Sequence, residues 1–275
     1  MFTSGSVKSI EDIELTLVKD VNTNSKCVRG CCITSNGSII FTDHAKRFLR
    51  ILNKSNMQMN CPSGNAFDVT CIDSDTCGVT SGFSNSHRID LINLTTWKVT
   101  HSVELPGYPF GITHTGDSMI CCVAKQDLHV ISCSDDYRIS TVNNTKLPHL
   151  SYVAALGDNI YYTNANDQTI TCCSREGTIN WKYRNENVLK IPRGITFDSH
   201  GNIFVVGQDS NNVVAISPNG KDYKEILTRK NGLVNPSAVY FNKTTSELLV
   251  ANRDNGLAFL FSISYSKSKP LRDVK

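Results

Sequence analysis

The sequence predicts an all-β fold, a six-bladed β-propeller closed by its own N-terminal strand. Three observations predict it: six internal units, a strand–turn–strand layout inside each unit, and a leftover N-terminal strand that suits a gap at the C-terminal end. Units of roughly 40–45 residues with four strands each are the mark of propeller blades.

The repeat is clearest in Arg193-Gly-Ile-Thr-Phe-Asp-Ser-His-Gly-Asn-Ile-Phe-Val-Val206. Arg29-Gly-Cys-Cys-Ile-Thr-Ser-Asn-Gly-Ser-Ile-Ile-Phe-Thr42 and Phe110-Gly-Ile-Thr-His-Thr-Gly-Asp-Ser-Met-Ile-Cys-Cys-Val123 share its layout. Weaker copies start near Phe67, Tyr152 and Ser237. The residues that open each second strand are Ser38, Thr76, Ser118, Asn159, Asn202 and Glu247, spaced by 38, 42, 41, 43 and 45.

The interior of the units follows the same plan. In the fifth, Ile203–Val206 and Val213–Ile216 are the middle strands, Ser217–Gly220 is a Pro/Gly hairpin turn, and Tyr223–Leu227 is the outer strand. In the fourth, Ile160–Thr163 and Thr169–Cys173 are followed by the turn Ser174–Gly177 and the outer strand Thr178–Tyr183. Continuous short apolar runs of this kind suit strands buried on both faces. The sixth unit stops after its third strand, Leu257–Ile263, and Ile13–Lys19 reads as a strand without a unit. Placed beside the third strand, it completes the last blade and removes an exposed sheet edge.

The expected domain is a single propeller over 13–266. Its blades fall near 15–57, 58–104, 105–147, 148–190, 191–234 and 235–266 with strand 13–19, leaving 1–12 and 267–275 as tails.

Composition narrows the function. The 275 residues are 19% charged and 40% hydrophobic, with a net charge of +3, too small to argue for nucleic acid by itself. No apolar run is long enough to cross a membrane as a helix, so no membrane partner is expected. Met1–Ser9 is polar and lacks the apolar region of a secretory leader. Eleven cysteines include the adjacent pairs Cys31-Cys32, Cys121-Cys122 and Cys172-Cys173. Neighbours on a strand point to opposite faces and pair poorly, so free thiols and a cytoplasmic location are expected. Five N-x-Ser/Thr sequons, at Asn36, Asn53, Asn93, Asn143 and Asn242, point the other way.

Catalytic motifs are missing. The sequence has no phosphate-binding loop, no His-Glu-x-x-His and no Gly-x-Ser-x-Gly elbow. Cys27 and Cys31 have no matching pair at zinc-site spacing. Seven histidines are scattered, and His44 and His87 fall in equivalent loops of the first two blades. A propeller can still assemble an axial metal from dispersed loops, which makes a metal-dependent, lactonase-like hydrolase the enzymatic alternative. No acidic residue recurs at the axial ends of the inner strands. The chain is therefore expected not to be an enzyme and to need no metal or small-molecule cofactor.

Binding in propellers belongs to loops held by rigid blades. Two loop sets share one face: the segments entering each inner strand, and the connections from second to third strands. Their candidate ligand-binding residues are Arg29, Lys46, Arg47, His87, Arg88, Phe110, Lys125, Tyr152, Asn164, Arg193, Gln208 and Arg253. Arginine and lysine clamp carboxylates or phosphates, and aromatic rings anchor proteins or stack on bases. Charge around the ring is uneven. Residues 15–57 carry seven Lys/Arg against two Asp, and residues 58–104 carry two basic against five acidic residues. A basic sector beside an acidic one suits a mixed-charge surface.

The segment Pro192 to Gly220, with Ser210-Asn-Asn-Val-Val-Ala-Ile-Ser-Pro-Asn-Gly220 as its second half, resembles the NHL repeat. Gly37–Asp43, Val79–Gly82, Tyr161–Asn164, Thr171–Cys173 and Leu248–Asn252 extend the likeness from about Ile13 to Ile263. The whole looks like the C-terminal propeller of the tripartite-motif NHL proteins. The resemblance implies a substrate- or RNA-recognition module of a ubiquitin ligase. Its RING, B-box and coiled-coil modules would precede the propeller, so ligase chemistry is not expected within it. Some relatives bind RNA on the basic loop face, where Arg29 and Arg193 would lie. The corresponding positions elsewhere are Phe67, Phe110, Tyr152 and Ser237, which shifts the expectation towards a protein partner, with RNA as the alternative.

Overall fold

The computed structural model describes residues 9–52, 57–60, 64–134 and 136–266, with backbone alone at 57–60. Six four-stranded antiparallel sheets stand around one axis. The inner strands are Val28–Ile33, Val69–Cys71, Pro109–Thr115, Val153–Leu156, Pro192–Phe197 and Pro236–Asn242. The second strands open within one residue of the six predicted anchors.

Burial explains the residue pattern. The second strands Ile39–Asp43, Ser118–Val123 and Ile203–Gly207 are buried at every position, because each blade is covered by a neighbour on both faces. The adjacent cysteines divide between those faces. Cys31 packs with Val28 and Phe41, whereas Cys32 packs with Ile40 and Leu49. Outer strands such as Lys98–Glu104 are mostly exposed and correspondingly polar.

Closure follows the predicted plan. Ile13–Asn22 pairs antiparallel with Leu257–Tyr265, from Ile13 opposite Tyr265 to Asn22 opposite Leu257. The closing strand thus runs three residues beyond the expected Lys19. Two boundaries are corrected. Ile10–Asp12, placed in the N-terminal tail, form a 3-10 turn whose Ile10 is buried in the core of the last blades. Lys224 Nζ holds that turn by donating to the carbonyls of Glu11 (2.7 Å) and Ile13 (3.1 Å). The first blade reaches Asn60, since Met57–Asn60 is its outer strand. Residues 1–8 and 267–275 of the predicted tails lie outside the described residues.

Neighbouring blades are joined at the axis by buried hydroxyls. Inner strands bulge near their start, as between Val28 and Cys31, and Thr42 fills that bulge. Its hydroxyl accepts from Gly30 N (2.8 Å) and donates to Phe67 O of the next blade (2.8 Å). Thr80 likewise donates to Phe110 O (2.7 Å), and Ser237 closes the ring by donating to Val28 O (2.7 Å). Thr42→Val keeps the shape but strands a buried donor and acceptor. It is expected to lower stability by about 2 kcal/mol in urea unfolding.

Candidate functional site

The segments entering the inner strands and the second-to-third strand connections do share one face, called the entry face below. Between blades 1 and 4 it holds eight aromatic rings in mutual contact: His44, Phe67, Phe83, His87, Tyr108, Phe110, His149 and Tyr152. Phe83 is the member on the surface, 43% exposed. It stacks on His149 (5.4 Å, 22°) and meets Phe110 edge-on (4.9 Å) and Tyr108 at 5.7 Å. The loop forces this display. Ser84 N bonds to Ser81 O (3.2 Å) to form a tight turn, and Gly82 takes φ +53° inside it. A side chain at Gly82 would also strike Asn65 O, Phe67 and His44.

Beside the rings sit Arg29, Arg193 and Arg253, from blades 1, 5 and 6. Tyr152 reaches across the axis and donates to Arg29 O (2.8 Å). Arg193 donates through Nε to Gln208 Oε1 (2.9 Å) and through Nη1 to Leu150 O (3.1 Å). Burial, reinforced by the neighbouring Arg29 and Arg253, pulls the Arg193 guanidinium below its usual range. Arg253 is instead held up by its bond to Asp254 (2.7 Å). Arg29 Nε and Nη1 are buried and meet no acceptor among the described residues, and His149 Nδ1 is in the same condition. Burial first, then Arg29, holds the His44 imidazole below its ordinary value and so neutral near pH 7.

The predicted residues fall into three groups. Arg29, Tyr152, Arg193, Gln208 and Arg253 converge near the axis, and His87 joins the rings through Tyr108 (4.4 Å). Lys46, Arg47 and Lys125 are exposed on the rim. Arg88 is paired with the buried Asp90 (2.9 Å), and Asn164 folds onto its own turn, bonding Asn166, Asp167 N and Asp167 Oδ2. Two expectations are corrected. Phe110 is fully buried and Tyr152 is 3% exposed, so neither can stack on a ligand. Phe110 lies in the inner-strand bulge between Pro109 and Ile112, and both rings turn into the core beneath the face. Phe83, Tyr108 and His149 take the surface role and were not singled out. The sequence signal was an aromatic directly after glycine in the polar turn Ser81–Ser84.

Among the described residues no group of three or more His, Cys, Asp or Glu side chains is placed to hold a metal ion. Among the described residues no helix is long and apolar enough to cross a membrane.

Fold and face together define a six-bladed β-propeller with an aromatic and arginine-rich entry face. A family model described as SBBP, beta-propeller repeat, matches residues 185–211, from the end of the fourth unit into the fifth. No curated protein matches the sequence. Among solved structures the chain is similar to a streptogramin B lyase, at 17% identity and TM-score 0.65, over 94% of this chain and 89% of that one. It is also similar to a Bacteroides thetaiotaomicron protein of unknown function, at 10% identity and TM-score 0.72, over 92% and 76%. A third likeness is the β-propeller domain of Cps50 (Swd1) from Myceliophteria thermophila, at 7% identity and TM-score 0.65, over 91% and 100%. At these identities the likeness is one of fold.

Proposed function

We propose that this propeller is a non-catalytic recognition module that seats a protein segment on its entry face. One observation supports the reading above others: Phe83, a large exposed ring, rests on a rigid bed of seven buried or half-buried rings. Exposed aromatics beside arginine are the usual energetic anchors of protein interfaces. Arg29, with buried unpartnered donors, would receive a carboxylate or backbone carbonyl of the partner.

The same face favours protein over RNA. Two of its arginines are already neutralised, Arg88 by Asp90 and Arg253 by Asp254. Affinity for a polyanion rests on cations available to displace counterions; Arg193 is buried as well, which leaves Arg29 near the axis and Lys46, Arg47 and Lys125 on the rim. The NHL-like segment Pro192–Gly220 supports placing the module at the recognition end of a tripartite-motif ubiquitin ligase. The buried thiols of Cys31, Cys32, Cys121, Cys122, Cys172 and Cys173 form no disulfide, which supports a reducing, cytoplasmic setting.

The test is quantitative capture from RNase-treated cell extract, comparing wild type with Phe83→Ser and Arg29→Ala. Each substitution is expected to weaken partner retention at least tenfold, the loss typical of an interface anchor, with unfolding unchanged. Retention that ignores both substitutions, or that disappears with RNase, would refute protein recognition at this face.

A further inference from the structure

The ring axis holds a second candidate site, at the opposite end from the entry face. A cavity of about 290 Å³ runs between the inner strands. It is blind towards the entry face, where Tyr152, Cys31 and Asp68 are buried and Tyr152 is tied to Arg29 O. It opens where the inner strands end, beside His114, Asn242, Lys243 and Thr244. Threonines 70, 113 and 196 and the rings of Phe197 and Tyr240 line the walls.

The charges in this cavity are lopsided. Asp68 is its one carboxylate and sits at the blind end. Oδ1 accepts from Val69 N (2.9 Å) and Oδ2 from Ile112 N (3.0 Å), which fixes the group but leaves each oxygen a further lone pair. No cation pairs with it among the described residues. A buried carboxylate without a counter-charge is costly unless a ligand or a proton compensates it. At the mouth the charge is opposite: Lys243 Nζ lies over the Phe197 ring at 4.2 Å.

We propose that this cavity binds a small organic ammonium compound with an acidic group at its far end, the ammonium against Asp68 and the acid at Lys243. An ammonium brings three donors, enough for the free lone pairs of Asp68 and a wall hydroxyl. The aliphatic body would lie along Phe197 and Tyr240. The site is independent of partner recognition, since Tyr152 separates it from the entry face.

Binding should depend on pH through Asp68. Burial raises its carboxyl to about 7. The groups around it, Cys31, Cys121, Cys122 and Tyr152, are all pushed upward by burial and stay neutral through that range. At the mouth, burial lowers both His114 and Lys243. Cys71, on the wall, is lowered by its contact with the Cys32 sulfur 3.5 Å away.

Isothermal titration with three probes tests the site: 5-aminopentanoate, pentylamine and pentanoate. The expected order is 5-aminopentanoate tightest, pentylamine weaker, and pentanoate weaker than the first by at least about tenfold. Affinity for 5-aminopentanoate should fall about tenfold per pH unit below 7 as protons compete for Asp68. Asp68→Asn should abolish binding, and Lys243→Ala should erase the preference over pentylamine. Should Asp68→Asn fail to fold, the wild-type pH series and Lys243→Ala decide. Pentanoate binding as well as the ammonium probes, pH-independent affinity, or no ammonium binding at about 10 mM would overturn the proposal.

Discussion

Gly111→Ala is expected to destabilise the propeller by about 3 kcal/mol, roughly 10 °C in melting temperature. Gly111 is the third residue of the inner strand Pro109–Thr115, and its N–H donates to Ser151 O of the next blade at 2.9 Å. A Cβ there would overlap Tyr152 Cα and stand 2.8 Å from Ser151 O and 2.9 Å from Val153 N. All three are backbone atoms of the adjacent blade, so no side chain can swing away and the blades must part. A Cβ at Gly30 would stand 2.7 Å from Asp68 Cα, and one at Gly194 would stand 2.9 Å from Ser237 O and Val239 N, so every second blade uses the same device. Gly116→Ala is the matched comparison. Gly116 has φ +61° with open space around it, so only backbone strain opposes alanine, about 1 kcal/mol. Equal losses for the two variants in urea unfolding would mean that the inner strands are not in close approach.

The second large effect is linked to pH. The carboxyl of Asp68 has an ordinary value of 3.8 and is raised to about 7 in the folded protein, because burial disfavours its charge more than two backbone N–H bonds favour it. The folded state therefore holds a proton that the unfolded state has lost between about pH 4 and 7. Stability from this group is full below pH 4 and is lost as pH rises to 7. Asp68→Asn stays neutral throughout. Its amide nitrogen cannot accept from one of the two backbone N–H groups, a cost that does not vary with pH, so its stability relative to wild type should rise by up to roughly 4 kcal/mol between pH 4 and pH 8. Comparing the two proteins cancels every other titrating group. Parallel stability curves from pH 4 to 8 would show that Asp68 is not held in a dehydrated site.

The fold was legible in the sequence because a propeller repeats its instructions. Gly-Asn-Ile-Phe-Val-Val at 201–206 encodes a turn and a doubly buried strand, and enough copies survive elsewhere to count the blades. The orphan strand at Ile13 was legible because the sixth unit lacked an outer strand. Boundaries slipped where a short turn packs against the core, as at Ile10, whose burial depends on a neighbouring blade. The site was only half legible. That Arg29 and Arg193 share a face follows from their equivalent places in the repeat. That Tyr152 spans the axis to Arg29, 123 residues away in the chain, follows from the diameter of the ring. Phe110 and Tyr152 occupy loop-like positions in the repeat, yet both rings are turned inward. Phe83 belongs to one loop, but its meaning comes from rings on three blades beneath it. Asp68 reads as one of five acids in an acidic sector, and only the assembled axis shows it buried and unpaired.

Recognition through the entry face is tested most directly by photo-crosslinking in living cells, with a photoreactive phenylalanine at position 83 and, separately, at Thr244 on the opposite face. Protein recognition at the aromatic face predicts discrete protein adducts from position 83 that vanish with Arg29→Ala, and none of the same adducts from position 244. Adducts from 244 but not 83, or adducts from 83 that are RNA, would contradict it.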